Sequence, residues 1–157
     1  MKKKEIKSVI EGIKKIKLGK LEEKSISTAL FKDFMKLCGE QRALEASQKD
    51  LQELFLEKHK EEQETVSRLQ SDFNLESNAQ RRMELAREIN SHTEYLDAVK
   101  ELNDKMEALA NEEVEVEYID GEKFGEAFQK QSDWEISVIE EIYPLFKEND
   151  QKPKKEN

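Results

Sequence analysis

The sequence predicts a mostly α fold: a long antiparallel, coiled-coil-like helical hairpin, with short flanking helices and one β segment near residues 113–119. Three observations carry this expectation. The 157 residues include only 5 Gly and 2 Pro, too few turn formers for a sandwich or barrel. Charged residues make up 40% of the chain and hydrophobic ones 36%, with Glu, Lys, Leu, Gln and Ala prominent, the composition of long helices. Leu30, Leu37, Leu44 and Leu51 fall seven residues apart, and Phe34, Gln41, Gln48 and Phe55 follow them four residues on, which is a coiled-coil seam. The length fits one domain, expected over residues 1–147. Residues 148–157 are charged and nearly free of apolar side chains, and are expected to form a disordered tail.

The elements follow in order. Ile6, Val9, Ile10, Ile13 and Ile16 lie on one helical face and predict a short first helix. Gly12 weakens it by about 1 kcal/mol relative to Ala, and Gly19 offers a stop. Ser25, Ser27 and Thr28 offer N-caps for the first hairpin arm, expected over about 25–69. The charged stretch 57–64 has no apolar residue and can be helical only as a solvated rod or a protruding tip. Residues 70–78 read as the bend, with Ser77 and Gln80 forming a capping-box pattern. Leu85, Ile89, His92, Leu96, Val99, Asn103, Met106 and Ala110 then alternate four and three apart, which predicts a second arm over about 78–110. Asn90-Ser91-His92-Thr93 is poor in helix formers, but the phase runs through it, so one helix with a local bend is expected.

A bend centred near 74 places Leu51 opposite Ala98–Val99 and Leu44 opposite Lys105–Met106. The first arm would run roughly 65 Å and the second roughly 50 Å. The excess length of the first arm needs a downstream partner. Val114, Val116 and Tyr118 alternate with Glu, the one clear period-two stretch, and such a strand must pair with another extended segment or a second copy. Phe124 and Phe128 are one helical turn apart. Ser132 with Glu135 suggests a capping box opening a last helix through Trp134, Val138, Ile139 and Ile142, which Pro144 ends or kinks.

The net charge is −9, unevenly spread. Residues 1–24 hold nine Lys against four Glu, and residues 111–150 hold thirteen acidic groups against three Lys. A basic head on an acidic body suggests a nucleic-acid or anionic contact at Lys14, Lys15, Lys17 and Lys20, or an attraction between head and body within or between chains. These lysines are the candidate interaction surface. The head has no Arg for base edges and no aromatic for stacking, so only weak, sequence-independent nucleic-acid binding is expected. An acidic body that mimics nucleic acid is the other form of that alternative. No stretch of 18 uncharged apolar residues occurs, and Met1-Lys2-Lys3-Lys4 is followed by no signal-peptide core, so the expected setting is cytoplasmic, without membrane contact, and Cys38 a reduced thiol.

The chemistry-bearing residues do not assemble into a motif. Glu88 and His92 are one turn apart but supply two donors where a metal site needs three or four, and His59 stands in the charged stretch. The five glycines match no phosphate loop. The carboxylate pairs are those any charged helix face generates. No catalytic residue, cofactor or metal is therefore expected. The Leu30–Leu51 run is also that of a parallel zipper, but residues 22–29 lack the basic region of a DNA-reading one, and the seam is read as hairpin core.

The order of pieces carries a resemblance. A short Ile6–Ile16 helix leads through Lys17-Leu18-Gly19-Lys20 into Ser27-Thr28-Ala29-Leu30-Phe31-Lys32. A long charged helix follows with Leu51-Gln52-Glu53-Leu54. Glu101-Leu102 and Leu109-Ala110-Asn111-Glu112-Glu113-Val114-Glu115-Val116 then lead to a last helix ending Ile142-Tyr143 and Phe146. Over residues 5–147 this resembles the small helical proteins of unknown function encoded by bacteriophages and prophages; residues 57–82 depart from the pattern. That group has no established activity, so no functional residue carries over. The resemblance implies a phage-related, intracellular, non-enzymatic protein, an interaction or assembly factor with a protein partner or self-association.

Overall fold

A computed structural model describes residues 1–147, so the expected tail at 148–157 lies outside the described residues. The described chain is mostly α, with six α-helices: α1 (Ile6–Lys14), α2 (Lys24–Leu75), α3 (Ala79–Ser91), α4 (Thr93–Asn111), α5 (Gly121–Gln129) and α6 (Ile136–Ile142). Short 3₁₀ turns stand at Lys3–Glu5, Leu18–Lys20 and Tyr143–Leu145. The described residues form two compact units, one from residues 1–45 and 110–147, the other from 46–109.

The first unit has a single apolar core. Ile6, Val9, Ile10 and Ile13 of α1 meet Leu30 and Leu37 of α2, Phe124 and Phe128 of α5, and Val138 and Ile142 of α6. The N-terminal part of the long helix thus has the downstream partner its length required. Phe124 and Phe128 stack with centroids 5.2 Å apart, and Phe146 closes on Phe124 at 5.9 Å. Gly12 has a packing reason beyond its helix cost. A methyl at this position would stand 2.7 Å from Ile142 Cγ2 and 2.8 Å from Glu141 Cβ, so α1 and α6 approach as closely as they do because no side chain intervenes.

The expected β segment forms no strand. It is held instead at three points along its length. Near its start, Lys2 and Glu113 make an antiparallel bridge, and the Val114 N–H donates to the Met1 carbonyl at 2.8 Å. At its end, Ile119 and Phe146 make a parallel bridge, with the Ile119 N–H donating to the Leu145 carbonyl at 2.9 Å. Between them, the Glu117 N–H donates to Asp33 Oδ1 at 2.9 Å. A side chain of α2 thus accepts where a neighbouring strand would have.

Several boundaries differ from the sequence expectation. The first arm begins at Lys24 and continues to Leu75, because nothing in residues 70–75 breaks a helix; the bend shrinks to Glu76–Asn78. The cap of the second arm is Asn78 rather than Ser77: Asn78 Oδ1 accepts from the Arg81 N–H at 3.1 Å. Ser27 and Thr28 do not cap α2; their hydroxyls donate to the Leu18 and Lys24 carbonyls, both at 2.8 Å. The Ser132–Glu135 box is not made, and α6 starts after Glu135 with no side-chain cap, leaving Trp134 outside the helix. Asp120 caps α5, its carboxylate accepting from the Lys123 N–H at 3.0 Å.

In the second unit the chain turns back on itself. Phe55 of α2 packs on Tyr95 of α4 with centroids 5.9 Å apart, and Leu51 shares a cavity wall with Ala98. This is the antiparallel register the seam predicted. Both arms are interrupted. Within α2, His59 leaves helical geometry at φ −128°, ψ 15°. The second arm is two helices rather than one, because His92 takes ψ 55° between α3 and α4.

Candidate functional site

The four head lysines are placed by α1 and the turn that follows it. Lys14 Nζ donates to Glu11 Oε1 at 2.9 Å, on its own helix. Lys15 Nζ reaches Glu141 Oε1 of α6 at 2.6 Å, and the hydrogen bond raises the lysine pKa. Lys17 pairs with Asp133, whose pKa falls because of that bond. The backbone of Lys17 is also bracketed by the Gln131 side chain, which donates to its carbonyl at 3.1 Å. Lys20 ends the 3₁₀ turn and adds to the field that lowers Asp133. The attraction between basic head and acidic C-terminal segments is therefore made within the chain at two of the four lysines. Lys3 with Glu112 follows the same scheme, and Lys130 with Glu22 joins the two segments with the charges reversed. Apart from the part-covered Lys3 and Glu141 these side chains lie at the solvated surface, where screening leaves each pair a small contribution.

Asp33 is the one buried charged side chain among the described residues, 1% exposed. Helical periodicity turns it inward from α2 toward the 113–119 segment. Oδ1 is used by the Glu117 N–H, and Oδ2 has no hydrogen-bond partner. Burial pushes its pKa up, and the Glu117 carboxylate pushes the same way, against the Glu117 N–H, which favours the anion. A cavity of about 210 Å³ lies beside it, lined by Lys32, Asp33, Lys36, Glu115, Val116 and Glu117. Sequence reading missed Asp33. Its signal was an acidic residue one position before Phe34 on the seam side of α2.

The histidines stand apart from any donor set. His59 packs on Phe55 at 5.0 Å and edge-on to Tyr95 at 6.3 Å, and its Nδ1 is buried without a partner. His92 is half-buried at the break between α3 and α4. Among the described residues, no three His, Cys, Asp or Glu side chains converge as a metal would need. Cys38 is a free, half-buried thiol packed against the first unit's core. None of the described helices is long and apolar enough to cross a membrane.

Large apolar side chains stand in solvent instead. Phe31 and Met35, one turn apart on α2, are 56% and 60% exposed. At the end of the hairpin Leu75 is 83% exposed, with Met83 on α3 at 59%. Beside them Arg82 lies over the Phe73 ring, 4.5 Å from its centroid. All the cations between residues 61 and 99 are arginines: Arg68, Arg81, Arg82 and Arg87. Comparison of the chain with protein families, with curated proteins and with solved structures found no match.

Proposed function

We propose that the chain is a non-enzymatic protein-interaction or assembly factor, phage-related as its order of elements suggests, working in the cytoplasm. The observation that carries this reading is the pair Phe31 and Met35. Two large apolar side chains, stacked one turn apart and both more than half exposed, leave apolar area in water that a partner surface would cover. Aromatic residues and methionine are the types that enrich interface cores. Leu75 and Met83 give the hairpin end the same character, and arginine beside them is the cation that interfaces favour.

A photo-crosslinking amino acid placed at Phe31 and at Leu75, with a control at the exposed, solvated Lys49, tests the reading in cells of the native host. A discrete adduct at Phe31 or Leu75, absent at Lys49 and lost in a Met35→Lys or Met83→Lys background respectively, is the expected result. No adduct at either position, or equal labelling at all three, would count against it. The nucleic-acid alternative is weakened by the pairing of Lys15 and Lys17 with Glu141 and Asp133.

A further inference from the structure

The hairpin has a joint, and we propose that its distal end, residues 60–91, moves as one body about that joint. The argument starts from the two backbone interruptions. The first lies at His59 in the 52-residue helix α2, and the second at His92 between α3 and α4. They are the chain's two histidines. The register shows that the two lie at one level. Phe55 packs on Tyr95, and Leu51 shares a cavity wall with Ala98. Carrying this antiparallel register one helical turn further along α2 brings His59 level with Asn90 and Ser91, next to His92. A single kink in one arm would be braced by an unbroken helix beside it. Two kinks at one level leave no continuous helix across it, which is the arrangement of a hinge: a few positions absorb the change in φ and ψ while the segments on either side stay whole.

Two clefts open to solvent flank this level. A cavity of about 170 Å³ lies against Leu51, Phe55, His59 and Leu102. A second, of about 300 Å³, lies against Phe55, Tyr95 and Val99. His59 Nδ1 is buried there without a partner, so the bent state carries an unmet hydrogen bond. Beyond the joint the end is closed on itself. Val66 and Leu85 are buried, Asn78 caps α3, and Arg82 lies on Phe73. A body tied at its far end and interrupted at its near end pivots rather than frays. The consequence is that Leu75 and Met83 can be re-aimed without unfolding either arm.

Nitroxide pairs in a Cys38→Ser background test this by electron–electron distance measurement. Asp50 with Ser71 spans the joint along the first arm, roughly 31 Å at the helical rise. Glu84 with Lys100 spans it along the second, and Lys60 with Asn74 lies wholly beyond it as a control. The spanning pairs are expected to give distributions at least twofold wider than the control. His59→Leu with His92→Leu restores a good helix former at both breaks, and should narrow them to the control width. The same double variant should slow amide exchange at residues 57–61 and 90–94 by tenfold or more. Spanning distributions as narrow as the control overturn the proposal on the unaltered backbone alone. Equally, widths that stay broad in a double variant whose amides have become protected show that the spread does not arise at these two residues, and the joint is wrong.

Discussion

Gly12→Ala separates two opposed accounts of one residue. If Gly12 were only a weak point in α1, alanine would stabilise the helix by about 1 kcal/mol. The structure reverses the sign. The added methyl would stand 2.7 Å from Ile142 Cγ2 and 2.8 Å from Glu141 Cβ, where carbon pairs prefer about 3.5–4.0 Å. Glu141 Cβ is fixed to the α6 backbone and cannot rotate away, so α6 must move and the contacts of Ile142, itself fully buried, go with it. Overpacking of this kind costs about 1–3 kcal/mol, and the upper part of that range applies where the obstacle is a backbone-attached atom. Net of the propensity gain, the variant should lose about 1–2 kcal/mol. The single Trp, Trp134, packs edge-on to the buried Phe128 and reports unfolding of this core. A urea titration followed by Trp134 fluorescence gives the difference directly. A midpoint above that of the parent protein would refute the close approach of α1 and α6.

Three further outcomes follow from other parts of the molecule. Cysteines at Leu51 and Val99 in a Cys38→Ser background, oxidised at low concentration, should crosslink within one chain; a 51–51 product between chains with no intrachain product would mean a parallel zipper instead. Asp33→Asn should become more favourable relative to the parent as pH rises. The folded pKa of Asp33 lies above its ordinary value, so its contribution is greatest below the ordinary aspartate pKa and is lost through the raised folded value. A difference between the two proteins that stays constant from pH 3 to 8 would contradict that. In mobility-shift titrations, any nucleic-acid binding through Lys14, Lys15, Lys17 and Lys20 should be weak, indifferent to sequence and lost with added salt, and tight binding that survives high salt would show that these lysines read a specific ligand.

Much of the architecture was legible because long helices announce themselves by period. Leu30, Leu37 and Leu44 are buried, and Phe34, Gln41, Gln48, Leu51 and Phe55 are all at least half-covered, as a seam requires. Period could not show what a short apolar segment does when its partner is a side chain. Val114, Val116 and Tyr118 alternate as in a strand, yet Asp33 takes the Glu117 N–H, Met1 the Val114 N–H and Leu145 the Ile119 N–H, so the segment is fixed at separate points without a ladder. Nor does residue type single out Asp33: its place beside Phe34 on the seam side of α2 marks the position as inward, but an acidic residue does not stand out in a chain that is 40% charged. Cap residues misled for a related reason: Ser77 and Asn78 are adjacent and chemically equivalent as caps, and only the exact end of the turn selects Asn78.

The break at His92 shows which sequence signal deserved weight. The hydrophobic phase runs unbroken from Leu85 to Ala110 because the interruption is a single residue. The His92 N–H still donates to the Ile89 carbonyl at 3.2 Å, and its own carbonyl accepts from the Leu96 N–H at 3.0 Å, so helical bonding resumes at once and the stripe keeps its direction. What changed was composition. Asn90, Ser91, His92 and Thr93 are all weak helix formers, and their side chains compete with the backbone for hydrogen bonds, as the Ser91 hydroxyl does by donating to the Glu88 carbonyl at 2.6 Å. On the other arm the corresponding level holds His59, the one weak helix former in a run of Glu, Lys and Gln, which packs on Phe55 and Tyr95 where it leaves helical geometry. Phase reports which face a segment buries, whereas propensity reports where that segment can yield. Each arm of this hairpin carries a weak helix former, His59 or His92, where its backbone leaves helical geometry, while the seam on either side keeps its phase.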